Sequence, residues 1–155
     1  MRYALAFAAS LLAGGAHAAC SPDRVDFRGP HGTSQFSVEV ALTPAQRERG
    51  LMDRSAMPAT SGMLFVYQVP EHAYFWMKDT LIPLDMIFVD ATGTVARVQA
   101  NAVPQDLSII DGGDGVAAVV EVNGGVARAR GIEPGAQMRT PYLPQATALW
   151  PCSSP

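Results

Sequence analysis

The chain is short of several things, and each shortage excludes a class of function. Two cysteines, Cys20 and Cys152, are too few for a disulfide-dense scaffold or a thiolate metal centre. Past the first twenty residues no apolar run approaches the ~20 residues a membrane-spanning helix needs, so the remainder is expected to be soluble, without a membrane span. Basic residues are sparse as well. Apart from Arg47, Arg49 and Arg54 and the spaced Arg128 and Arg130 there is no cationic cluster, and the net charge is −3, which excludes nucleic acid as a partner. His31 and His72 lack close His or Cys companions. The run "DGGDG" at 111–115 lacks the alternating acids of an EF-hand loop, and no G-x-S-x-G occurs. No metal ligand, cofactor or catalytic nucleophile is therefore assigned.

What is present begins with a leader. "MRYALAFAASLLAGGAHAAC" places Arg2 before an apolar core and ends it in small residues with an Ala16-His17-Ala18 site, the pattern of a secretory signal peptide over residues 1–18. Removing it leaves residues 19–155, enough for one domain. The expected location is periplasmic or secreted. A lipid anchor on Cys20 is the competing reading, disfavoured by His17 where a lipobox wants an aliphatic residue. In an oxidising compartment, two cysteines at opposite ends of the mature chain read as one disulfide, Cys20 to Cys152. Closing so long a loop is worth at most about 5 kcal/mol in the chain-entropy view. It also removes the only thiol nucleophiles.

Periodicity supplies the elements. "SQFSVEVAL" alternates, with Phe36, Val38, Val40 and Leu42 on one face of a strand. "TPAQRERG" follows as a short helix, with Thr43 and Gln46 as a capping box, Pro44 at the first position and Gly50 as the stop. "GMLFVY" and "AYFWMK" read as two further strands, and "DMIFVD-ATG-TVARVQA" as a hairpin turning at Gly93. Residues 102–115 read as a long loop and "VAAVVEV" as a buried strand. A second helix is expected after Asn123 as cap, closed by a Schellman turn at Gly131 and Ile132. "EPGA" fits a type II turn. About seven strands, two short helices and no βαβ alternation predict an all-β fold, a jelly-roll-like sandwich or flattened barrel. The tail from residue 141 to 155 reads as extended, held by Trp150 and the disulfide.

Six short motifs in this order, "RGLM" (49–52), "GMLF" (62–65), "FWMKDT" (75–80), "IPLD" (82–85), "EVNGG" (121–125) and "GIEPG" (131–135), resemble the bacterial and archaeal family called domain of unknown function 192 across about residues 35–140. The resemblance implies a compact, β-rich, usually exported domain and no established activity. Asp79, Gly124 and Ala136 depart from the residues commoner in the family, which are Asn, Ala and Asp.

The polar knot in "AYFWMKDTLIPLDMIFVD" is the leading candidate site. Trp76 would offer a flat surface, and Lys78, Asp79 and Asp85 polar contacts, to a small-molecule or glycan-like ligand. The plainer reading, a doubly covered strand whose charges pair at its end, is the more economical. Glu121 interrupts a buried strand on the face of Ala117 and Val119, where a carboxylate needs a cation, with Arg49 and Lys78 as candidates. "NGGV" could aim backbone N–H groups at an anion. A binding module is the preferred function, a ligand-free envelope protein the alternative, and a hydrolase using Lys78, Asp79, Asp85 and Glu121 a distant third. Oligomeric state is not readable.

Overall fold

In a computed structural model, which describes residues 20–153, the chain forms one seven-stranded curled sheet of a flattened-barrel type with two short helices. The leader and the acylation alternative's flanking residues lie outside the described residues. The strands are β1 (Arg24–Gly29), β2 (Gly32–Ala41), β3 (Ser61–Phe75), β4 (Leu84–Asp90), β5 (Val95–Ala102), β6 (Ile110–Asn123) and β7 (Gln137–Arg139), in spatial order β5-β4-β6-β3-β2-β1-β7. The helices are α1 (Pro44–Arg49) and α2 (Val126–Ala129). The two edges of the sheet meet. Val95 N donates to Ala136 O at 2.8 Å and Met138 N to Gly93 O at 2.7 Å, tying the β4–β5 hairpin to β7 and covering the edges that would otherwise be open.

The continuous apolar runs follow from that position in the sheet. β3, β4 and β6 lie at its centre and carry side chains into two apolar clusters, one on each face. Phe27, Phe36, Leu64, Ile87, Val120 and Met138 fill one; Leu51, Phe65, Met77, Leu84, Met86 and Phe88 fill the other. A strand covered on both faces has no use for polar alternation.

Local signals hold where their chemistry is local. Thr43 and Gln46 form the capping box of α1. Asp90 Oδ1 accepts from Thr92 N and Thr94 N in the β4–β5 turn, where Gly93 has φ 83°. Ile132 N donates to Ala127 O at 2.8 Å and Gly131 N to Arg128 O at 3.1 Å, which is the Schellman pair. Ala136 N donates to Glu133 O across the "EPGA" turn.

Other readings are corrected. "GMLFVY" and "AYF" belong to one irregular strand, β3, whose pairing with β6 shifts register between Val66 and Tyr74, and Trp76, Met77 and Lys78 lie beyond its end. β6 starts at Ile110, so residues 110–115 are strand and the loop is shorter than expected. A parallel crossover does exist: β2 and β3 pair in parallel, Ser37 opposite Ser61, with α1 in the connection. β2 ends at Ala41, which is buried, leaving Leu42 exposed. Asn123 does not cap α2; its side-chain amide donates to Met57 O. The tail turns back through Pro144, whose carbonyl accepts from Ala148 N, instead of running extended. Trp150 is buried under the Arg28 and Arg139 guanidiniums, 4.7 and 4.4 Å from its ring, and Cys20 is bonded to Cys152.

Candidate functional site

The second half of β3 builds an open aromatic groove. Its register shifts leave Tyr67, Tyr74 and Trp76 without a common core face, while Phe75 turns inward and meets Phe65 and Phe88 edge to face at 5.3 and 5.8 Å. A cavity of about 270 Å³ results, lined by the exposed Tyr74 and Trp76 and the half-buried Tyr67 with Arg47, Glu48 and Glu71. Arg47 is fixed there. Its Nη1 donates to Leu42 O and Val66 O, and its guanidinium lies 5.0 Å from the centre of the Tyr67 ring. Burial first, then Glu71, pushes the Tyr67 phenol up to about 12, so it stays a hydrogen-bond donor at any ordinary pH. Tyr74 stacks on His72 at 4.5 Å, and His72 sits between Asp114 and Asp111 at 2.6 and 2.7 Å. Those carboxylates, Asp114 foremost, raise the imidazole above its usual value.

The polar knot disperses around this groove. Trp76 is 47% exposed and carries Lys78 Nζ 5.3 Å from its ring centre, a cation–π contact at the groove's rim. Met77 between them is wholly buried. Asp79 takes a left-handed φ of 53° and its carbonyl accepts from Asp53 N, which closes the turn after β3 onto the turn after α1.

Asp85 does something else. Fully buried, it accepts from Asn101 N at 2.8 Å, Gly125 N at 2.9 Å and Ala127 N at 2.9 Å. It thereby satisfies donors at the start of α2, and within "NGGV" the Gly125 N–H faces this carboxylate while the Gly124 N–H donates to Pro83 O at 2.9 Å. A Cβ at Gly124 would stand 2.8 Å from Asn101 Oδ1 and 3.1 Å from Pro83 Cβ, so the alanine commoner in the family would require the Asn101 side chain to shift. "IPLD" and "EVNGG" are thus two halves of one structural joint.

Glu121 is the anomaly. It is 4% exposed and has no hydrogen-bond or ion-pair partner among the described residues. Burial alone pushes its carboxyl up to about 8, so it is mostly protonated at neutral pH. The expected cations are elsewhere: Arg49 pairs with Asp53 at 3.4 Å on the surface, and Lys78 lies over Trp76. Nor does Ala117 share its face. The β4–β6 ladder slips between Val89 and Asp90, which puts Val116 and Val119 in the cluster on Glu121's side and Ala117 in the other.

The profile of the domain of unknown function 192 family, described as an uncharacterized ACR, matches residues 27–140. The chain belongs to that family. Among solved structures it is similar to a proposed transcription regulator from Sinorhizobium meliloti 1021, at 38% identity and TM-score 0.74, covering 79% of this chain and 95% of that one. It is also similar to a protein of unknown function from Novosphingobium aromaticivorans, at 40% identity and TM-score 0.74, covering 75% and 83%. No curated protein matches.

Set against the family motifs, the six candidates divide by position. Trp76 lines the aromatic groove, with Lys78 over its ring. Arg49 lines a second, larger groove of about 500 Å³ between β2 and the turn after α1, whose charged walls already pair with each other as Arg49–Asp53 and Arg54–Glu39. Asp79 belongs to the turn between the grooves, and Asp85 and Glu121 line neither. The sequence reading missed Arg47, Tyr67, Glu71 and Tyr74, which the family motifs also omit. A signal was available: Pro70 inside an aromatic strand marks a bulge, where side chains leave the regular alternation.

Proposed function

We propose that this family member is an exported binding module whose aromatic groove takes a small polyhydroxylated ligand of the saccharide class. The observation that carries the reading is Trp76, an indole left half exposed at the rim of a concavity while its neighbours Phe75 and Met77 pack inward. Flat aromatic faces at Trp76 and Tyr74 suit the apolar face of a sugar ring, and Arg47, Glu48 and Glu71 supply the donors and acceptors its hydroxyls need. Export is supported by the secretory leader and by the Cys20–Cys152 disulfide. Among the described residues no helix is long and apolar enough to cross a membrane. On this reading residues 19–155 are one periplasmic or secreted domain.

The test is calorimetric titration of the disulfide-intact protein with a panel of mono- and disaccharides, followed in parallel by the change in Trp76 fluorescence. The expected result is saturable binding by the wild type and none by Trp76→Ala at unchanged fold. A second reading, an envelope protein with no ligand, draws on Lys78 already covering one Trp76 face. Absence of binding across the panel would favour it.

A further inference from the structure

Five of the seven methionines gather on one face of the sheet: Met63, Met77 and Met86 inside the cluster, Met57 packed against it, and Met52 beside Met63 at the large groove. Three strands set two of them around the anomalous carboxyl. Met63 on β3 stands directly opposite Glu121 on β6, and Glu121 directly opposite Met86 on β4, giving the row Met63–Glu121–Met86 across adjacent strands. Cβ atoms of such opposed residues lie about 4.5–5.5 Å apart, within reach of a shared ligand for these long side chains. We propose that Met63, Glu121 and Met86 form a binding site for a soft monovalent metal cation of the Cu(I) or Ag(I) type.

Charge and softness select that class. Glu121 is a buried acid with no partner among the described residues, and its row neighbours bear no charge. A monovalent cation would leave a neutral pair in an apolar surrounding, whereas a divalent one would leave a net charge there. Thioethers are soft donors that favour Cu(I), while Mg(II) and Ca(II) require several oxygens and find one carboxylate. Neither thiol competes, because Cys20 and Cys152 are bonded to each other. Access exists: Met63 and Met52 line the groove of about 500 Å³. None of Met63, Glu121 and Met86 lines the aromatic groove, and although the Glu121 charge bears on Tyr67 there, the Met63 and Met86 variants leave that charge in place and so keep the two readings distinguishable.

Methionine also fills cores for packing alone, and Met-to-Leu exchange keeps the volume while removing the sulfur. The probe is Ag(I), which has the same softness as Cu(I) and does not change oxidation state. It is added to protein with ¹³C-methyl-labelled methionine, with stoichiometry read by native mass spectrometry. One Ag(I) per chain is expected, with the Met63 and Met86 methyl signals shifting most. Affinity should fall about tenfold in Met63→Leu and in Met86→Leu and less in Glu121→Gln, and Zn(II) in excess should not displace the ion. Absence of stoichiometric binding, methyl shifts confined to Met52 and Met57, or a folded double-Leu variant that binds like the wild type would each overturn the proposal. The methyl spectra of the wild type decide the matter even if a variant fails to fold.

Discussion

Asp85 and Glu121 are buried acids on neighbouring strands, within one residue of each other in register, and they resolve burial in opposite ways. Asp85 is paired across from Val122 and points with Ile87 and Val89 toward one cluster; Glu121 points with Val119 toward the other. Three backbone N–H groups replace the water that Asp85 lost. Nothing replaces it for Glu121, which takes up a proton instead. A carboxylate inside a protein therefore reports on its surroundings: hydrogen-bonded, it is part of the frame; unpartnered, it is a group held in reserve at a standing cost to stability.

The largest expected effect tests the first half of that contrast. Asp85→Ala strands three buried donors and frees the start of α2, so it should destabilise the protein by about 5 kcal/mol, measured as the loss of urea midpoint at constant slope. A loss under about 1 kcal/mol would mean that water reaches those N–H groups after all.

Glu121 breaks the symmetry through pH. Its folded-state value lies above the ordinary 4.5, so the unfolded chain ionises first as pH rises. Stability contributed at Glu121 is greatest below about 4.5, falls through the interval up to about 8 and is level above it. Urea melts of metal-free wild type and Glu121→Gln at pH 5 and pH 8 should differ by about 3 kcal/mol in their pH response, with the variant the flatter. Equal responses would show that Glu121 has a partner in solution.

The alternation along "FWMK" comes next in size. Met77→Ala and Phe75→Ala should each cost about 3 kcal/mol, because they empty space in the cluster that Glu121 faces. Trp76→Ala and Lys78→Ala should cost about 1 kcal/mol or less, since both side chains stand at the surface. Four urea melts decide it, and a uniform loss would make the aromatic groove a piece of architecture.

His72 supplies the surface counterpart, a titrating group with two partners, and the smallest effect. Its value is raised by Asp114 and Asp111, so the stabilisation is fully present below the unfolded imidazole value and is lost as pH rises through the folded one. Amide exchange at Gly113 and Asp114 should quicken above that range in the wild type, beyond the ordinary base catalysis seen in His72→Ala. Identical profiles would leave the His72–Asp114 contact without consequence.

How much of this was legible depended on sequence distance. The capping box at Thr43, the Gly93 turn, the Schellman pair at Gly131 and the "EPGA" turn each lie within a few residues, so their chemistry is written in consecutive letters. The disulfide was legible from count and compartment. Asp85 was not, because its donors come from 16, 40 and 42 residues away. The same holds for the parallel β2–β3 pair, which a six-residue helix gives no period to announce. Trp76, Lys78 and Glu121 stand out in the sequence as unusual, yet whether each faces a groove or a core turns on register, and the bulges at Val66–Tyr74 and beside Ala117 shift register without changing composition.

The bond between Cys20 and Cys152 makes the described chain a ring, with its first and nearly last residues 5.3 Å apart at Cα. Mechanically this short-circuits the sheet. A pull applied between the two ends is carried by the sulfur bridge, and the strands bear no load until the bridge is reduced. A linker or fusion attached at either end leaves from the same point on the surface, so the barrel would hang from that point in one orientation whichever end holds it.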